Sequence, residues 1–450
     1  MTELHELSAT EQLDALHNKA ISSRELTAHY LERIERLDGE LGAFTTVDPE
    51  AALEQAGRVD DRLVSGPLAG LPLGIKDLYA TAGLRTTYGS AALQDFVPTE
   101  DTRTVGLLRQ AGAVIVGKTS TSELGATCYT EHDGRAAVTP YDTTRYSSGS
   151  SGGAATAVSA GLLPLAHGSD SAGSIRTPAA ACHLVGIKPS RGLVSAAPAV
   201  SFFSAGTEGP IARTVADAAL LLEVMAQPWA GDLYGWRLPA DKPRSTRALK
   251  VAMWTDTGLD DVDQHPEGLA AVRRTADLLR ELGHHVQEIA IPARLDDPTQ
   301  QAVKTWFAAA VGFAVPALVP AERRHLLKPY TRHLLESTLS ANDVMTSQAV
   351  LARYASTFLA TLDEYDVALT PTTNGPPVPI GHFFANGTEG ESDLMLAWSC
   401  HTPWANLTGQ PAISLPSHLD PDGLPHSIQL VGRPRHDAEL IALAAQLETP

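Results

Sequence analysis

The stretch from Ser147 to Pro178, SSGSSGGAATAVSAGLLPLAHGSDSAGSIRTP, constrains this chain more than any other. A flexible Gly/Ser linker would stand between two self-contained domains, polar and without structure. Here the glycines run directly into AATAVSAGLLPLA, which is apolar enough for a buried helix and strand, so small residues are threaded through the core. Small residues in such a place let backbone approach backbone or ligand closely, and they leave N–H groups facing outward as an anion-binding hollow. That is what an oxyanion hole requires.

Composition narrows the classes. With 450 residues, 43% of them apolar, the chain can bury a large core. Cys128, Cys182 and Cys400 are odd in number and far apart, so neither a disulfide framework nor a zinc site is expected. The N-terminus MTELHELSATEQLDALHNKA is acidic and amphipathic, unlike the basic start and continuous apolar stretch of a signal peptide, and a cytoplasmic location is expected. No apolar window approaches the ~20 residues of a membrane span. A net charge of −18, with Lys and Arg spread along the chain, argues against nucleic acid.

Residues 8–64 read as two or three helices, opened by a capping box from Ser8 to Glu11. From LAGLPLGIKDLYATAG onward, short β-branched runs alternate with helical segments, the pattern of an α/β protein whose sheet is covered by helices. LKVAMWTDTG and the residues after it read strand, helix, strand, and SIQLVGRP near 427–434 reads as the last core strand. Residues 228–247, rich in Pro, Gly and charge, are the best loop candidate. The chain is read as one domain in three stretches. Residues 1–64 are an N-terminal helical layer and 65–227 the core. Residues 228–450 complete the same domain, with a helical insertion at about 295–362 and core strands over 363–450.

Two motifs fail on context. GAVIVGKT, Gly112 to Thr119, fits the phosphate-loop pattern, but its variable residues are themselves a strand, so Lys118 reads as a strand-end residue. GSSGG, Gly149 to Gly153, fits the nucleophile elbow of an esterase with Ser151 at its centre. That elbow needs an apolar strand upstream, whereas TPYDTTRYSS is polar and broken by Pro140.

The stretch strongly resembles the amidase signature family of serine hydrolases. SSGSSGGAATAV matches the family's Gly/Ser-rich segment, and SDSAGSIRTP, with Ser174 lying 24 residues after Ser150, matches its nucleophile loop. GLPLGIKDLYATAG supplies the upstream lysine, Lys76, 74 residues before Ser150. Later segments, including GTEGPIARTVADAALLLEVM and NLTGQPAISLP, extend the match over nearly the whole chain. The resemblance implies one α/β/α layered domain around a large, mixed, twisted sheet.

The resemblance further implies amide hydrolysis through an acyl-enzyme, with Ser174 as nucleophile, Ser150 passing the proton after a cis Gly149–Ser150 bond, and Lys76 as base. The oxyanion hole would be the N–H groups of Ser171, Ala172 and Gly173, with Ser174 a possible fourth. Asp170 and Arg176 would brace the loop, Ser151 would hydrogen-bond to the nucleophile, and Leu124, Gly125 and Tyr129 would border the acyl site. The chain departs from the family at Ala172, where Gly is usual, and at Ser147-Ser148, where Pro-Gly is usual. A Cβ at 172 would be strained if that position needs positive φ.

The resemblance implies no cofactor or metal, a small-molecule substrate, no nucleic-acid or membrane partner, and a homodimer as a frequent assembly. The expected activity is that of a stand-alone amidase acting on small neutral aryl or aliphatic amides, with urethanes (carbamates) and esters as further substrates. Three alternatives stand beside it: the glutamine-hydrolysing component of a tRNA-dependent amidotransferase, a Ser151 esterase, and an inactive ligand-binding relative.

Overall fold

In the computed structural model, residues 3–132, 134–196, 205–238 and 247–448 are described. Among them eleven strands form one mixed sheet. The strands are β1 (Phe44–Val47), β2 (Pro72–Lys76), β3 (Val114–Thr119), β4 (Leu165–Asp170), β5 (Val185–Lys188), β6 (Thr207–Ala212), β7 (Lys250–Met253), β8 (His285–Glu288), β9 (Val367–Pro371), β10 (Ala412–Leu419) and β11 (Pro425–Gly432). Their order in space is β1-β3-β2-β4-β6-β5-β10-β11-β9-β7-β8. β2 runs parallel to β3 and β4, and β7 parallel to β8 and β9. The remaining neighbours are antiparallel.

Side chains alternate across a strand, so apolar residues at successive positions feed two cores. Ile115 packs into one core while Val114 and Val116 pack into the other. Leu165 and Ala166 divide in the same way. Helices Ala9–His17, Val215–Met225, Pro266–Glu281 and Asp437–Leu447 cover the first face. Helices Gly152–Ser159 and Arg176–Ala181 cover the second. The small-residue stretch is thus a buried layer, and every residue from Gly152 to Val158 is buried. A Cβ on Gly153 would stand 2.3 Å from the Ala43 carbonyl oxygen and from the Ser120 nitrogen, so the helix seats against backbone.

The strand–helix–strand reading of the segment after Leu249 corresponds to parallel β7 and β8 around Pro266–Glu281, and the last strand is β11. The capping box at Ser8 forms with Glu11. The N-terminal helices are Ala9–His17, Ser23–Leu41 and Pro49–Asp60; between the last two lies an edge strand, β1, which the helical reading omitted. Lys118 lies near the end of β3, and its amino group donates to the Tyr79 carbonyl and to the hydroxyls of Thr81 and Thr86. Of the loop candidate 228–247, residues 239–246 lie outside the described residues.

The expected helical insertion contains Asp297–Leu318, Pro329–Glu336 and Ala341–Thr361. The first corrects the expectation about membrane length, since its 22 residues are long and apolar enough to cross a bilayer by length and composition. Its apolar residues have other partners: Trp306 and Phe307 line a cavity, and Val311 and Val315 pack in a core.

Replacing Gly153 with Ala is expected to destabilise the fold by roughly 1–3 kcal/mol, the usual cost of overpacking a filled core. Urea unfolding measures it. An unchanged midpoint would mean that the close backbone approach is not needed.

Candidate active site

β2 ends in Lys76 and β4 in Asp170, and the loops that follow or approach these strand ends carry the serines. Ser150 lies between the hairpin strand Asp142–Tyr146 and helix Gly152–Ser159; Ser174 precedes helix Arg176–Ala181. The Ser151 N–H donates to the Ser174 carbonyl at 3.3 Å, joining the two loops. The peptide bond between Gly149 and Ser150 is cis.

Lys76 is wholly buried. Its amino group lies 2.8 Å from Ser150 Oγ, 2.9 Å from Ser169 Oγ and 3.1 Å from the Ser169 carbonyl oxygen, all neutral groups. Burial disfavours the ammonium form and lowers the Lys76 pKa to about 7, against the opposing pull of Asp170 and Glu208. Sequence reasoning missed Ser169. Its position one residue before Asp170, on the strand beside β2, was the available signal.

The loop from Ser171 to Ile175 is held by Asp170. Its carboxylate accepts the N–H groups of Gly173 at 2.7 Å and Ile175 at 3.2 Å, and pairs in two-pronged fashion with Arg176 at 2.9 Å from Nε and from Nη2. Burial alone would raise the Asp170 pKa, but the Arg176 guanidinium outweighs it and holds the carboxyl well below the usual range. Arg176 also donates to the Thr402 carbonyl, Gln429 and Asn406, three residues from the far end of the chain.

These contacts correct part of the oxyanion-hole expectation. The Gly173 N–H is engaged by Asp170 and is not free for a ligand. The N–H groups of Ser171, Ala172 and Ser174 have no hydrogen-bond acceptor among the described residues. Ala172 does not take positive φ, so its Cβ brings no strain. The position that needs glycine is 173, where φ is +135° and a Cβ would stand 2.3 Å from Thr402 Oγ1. The Ser147-Ser148 departure does carry a conformational cost: Ser148 sits at φ 69°, and its hydroxyl compensates by bonding to the Cys128 carbonyl and Thr177 Oγ1, each at 3.0 Å.

Ser151 does not touch the nucleophile loop through its hydroxyl, which donates to the Ser169 carbonyl at 3.2 Å. It is fully buried at the start of helix Gly152–Ser159, and the strand before it belongs to a two-stranded hairpin. An esterase elbow would instead expose this hydroxyl on top of a central strand.

A cavity of about 840 Å³, including its open mouth, lies over Ser174 and is lined on that side by Gly149 and Ser171 to Ser174. Of the three expected acyl-site residues, Gly125 lines it, followed by Ala126, Thr127 and Cys128. Leu124 and Tyr129 do not. Leu124 packs into an aromatic core, and Tyr129 is stacked on Phe383 with its hydroxyl donating to Glu391 at 2.8 Å. The opposite wall is Val303, Trp306, Phe307, Met395, Leu396 and Leu407, from helices whose contact with the site no local motif announces. Lys304, the one charged lining residue among those described, pairs with Asp393 at 2.6 Å.

Comparison with known proteins agrees with this geometry. The amidase family pattern matches residues 25–441. A Mycobacterium tuberculosis chain that bears the amidase name AmiB2 is 37% identical over all of this chain and 97% of its own length. A solved bacterial aryl acylamidase of the amidase signature enzymes superimposes with a TM-score of 0.89 at 27% identity, covering 99% of this chain and 96% of its own. A glutamyl-tRNA(Gln) amidotransferase chain of Desulforapulum autotrophicum is 33% identical over 96% of this chain and 94% of its own. The chain belongs to the amidase signature family, and it is an amide-hydrolysing enzyme with that family's α/β fold.

Proposed function

We propose that this enzyme hydrolyses small neutral amides through an acyl-enzyme on Ser174, with Ser150 as proton relay and Lys76 as base. The observation that carries this reading is the buried Lys76 amino group, bonded to Ser150 Oγ and otherwise only to neutral oxygens. A lysine can act as a base near neutral pH only when burial removes its preference for the charged form. As Ser174 Oγ bonds to the carbonyl carbon, its proton passes to Ser150 Oγ and the Ser150 proton to Lys76. The carbonyl oxygen becomes an oxyanion facing the N–H groups of Ser171, Ala172 and Ser174. Collapse breaks the C–N bond and returns the proton through Ser150 to the leaving amine. Water then repeats the sequence on the acyl ester, releasing the acid and restoring Ser174.

The apolar far wall supports an amide that carries an aryl or aliphatic group, and the likeness to an aryl acylamidase points to aryl amides. Carbamates and esters present the same carbonyl geometry and belong to the proposed range. The relative from an amidotransferase keeps glutamine hydrolysis as the second reading. Glutamine carries an ammonium and a carboxylate, and the one charged residue lining the cavity among those described, Lys304, is already paired with Asp393. A reducing cytosol suits the three unpaired thiols, and a homodimer is the proposed assembly.

A fluorophosphonate probe should label Ser174, and Ser174→Ala should abolish both labelling and turnover; a label that survives on another serine would overturn the mechanism. Lys76→Met should cost about 10²–10⁴ in kcat/KM, the usual worth of a positioned base. Because the protonated lysine cannot accept a proton, kcat/KM should rise through about pH 7 to a plateau and be lost on the acid side. Trp306→Ala should raise KM for an anilide by about tenfold with a smaller change in kcat, as expected for lost apolar contact with the acyl group.

A further inference from the structure

Through Ser169, the hydrogen bonds of Lys76 lead to a second polar cluster beside the same strand end. β4 and β6 pair antiparallel with Ser169 opposite Glu208. Residues directly opposite on such a pair share a face, as do residues two apart on one strand. Ser169, His167 and Glu208 therefore share one face, and Ser169 joins them to Lys76 at the strand end, where its Oγ lies 2.9 Å from the Lys76 amino group. His167 Nε2 is 2.8 Å from a Glu208 carboxylate oxygen, and the Tyr79 ring meets the His167 ring edge-on at 4.8 Å between centres.

His167 is fully buried, and its Nδ1 has no hydrogen-bond partner among the described residues, so the bond through Nε2 is what holds the ring against the Glu208 carboxyl group. The charged and titratable groups around Lys76 are then Asp170 from β4, Glu208 from β6, and the phenol of Tyr79. Asp170 has its charge committed to Arg176 and stands near Lys188, whereas among the described residues Glu208 has the His167 imidazole as its side-chain partner. Glu208 is thus the carboxyl group with no guanidinium against it, and it works against the burial of Lys76.

We propose that Glu208, oriented by His167, is a positioning residue that sets the pH at which Lys76 becomes a base, holding it partly charged at rest so that the neutral lysine remains a strong proton acceptor. This rests on the reading of Lys76 as the base for Ser174. A lysine buried among neutral groups alone would lose its proton more readily but would take one from serine less well, because basicity falls with pKa.

The rate of Ser174 modification by a fluorophosphonate, followed against pH on the full chain, tests this without knowledge of the substrate. In Glu208→Gln the acid limb should move down by at least about half a pH unit, with a lower plateau. Glu208→Asp keeps the charge but withdraws it by one methylene, and it should move the limb the same way by less, which decides the matter should the Gln variant not fold. A limb at the wild-type pH in whichever variants fold would overturn the proposal while leaving Ser174 and Lys76 in their roles. No label on Ser174 in the wild-type protein would overturn the underlying reading, and this inference with it.

Discussion

The buried ion pair between Asp170 and Arg176 is the interaction on which the rest of the site depends. Both side chains are fully buried, and a charge in that position is tolerated only when every polar atom is matched. The matching partners come from two distant parts of the chain. Backbone N–H groups of the 173–176 turn satisfy Asp170, while Thr402, Asn406 and Gln429 satisfy Arg176. Asn406 bonds to both ends of the pair, since its amide also donates to Asp170. Removing one member of such a pair typically costs roughly 3–5 kcal/mol because the other is left charged and unpaired. The turn that presents Ser174 is therefore locked by electrostatics to helix Pro403–Thr408 and to the last strand, which supply these partners.

Lys76 follows the opposite rule. It is as buried as Arg176, yet it is given hydroxyl and carbonyl oxygens in place of a carboxylate at contact distance. An arginine there would stay charged under any such surroundings, whereas a lysine yields its proton to desolvation. The two side chains differ because Arg176 has a carboxylate at contact distance, whereas Lys76 has only neutral oxygens there and burial favours loss of its proton. The small residues of the 149–174 stretch make this arrangement possible. With Gly153 against the backbone of Ala43 and Ser120, and Gly173 against Thr402, the loops come close enough to exclude water from Lys76.

Much of this was legible in order and spacing. The Gly/Ser segment, the Ser-Ile-Arg turn and the strand ending in Lys76 stand at intervals that mark the family, and residue alternation marks the strands around them. The cavity wall was less legible. Leu124 and Tyr129 were expected beside the substrate because the family resemblance places their segment at the acyl site, but Tyr129 is drawn away by Glu391 and the Phe383 ring, and Leu124 by the same aromatic core. Trp306, Phe307 and Met395 line the cavity over Ser174 from helices that read simply as apolar. Likewise, the third expected donor of the oxyanion hole could not be separated from its neighbours until the Asp170 carboxylate was seen to take it.

The sequence by itself determined which groups exist for chemistry: a lysine on a strand end, two serines in glycine-rich turns, and small residues that permit backbone contact. It also determined the layered α/β class, because hydrophobic period and turn chemistry are local properties. Only the tertiary structure decided how those groups behave. The burial that lowers Lys76, the carboxylates that oppose it, and the N–H groups at Ser171, Ala172 and Ser174 that have no acceptor among the described residues all depend on strands and helices brought together from opposite ends of the chain. Desolvation and hydrogen-bond competition are properties of three-dimensional surroundings, and no spacing along the chain encodes them directly.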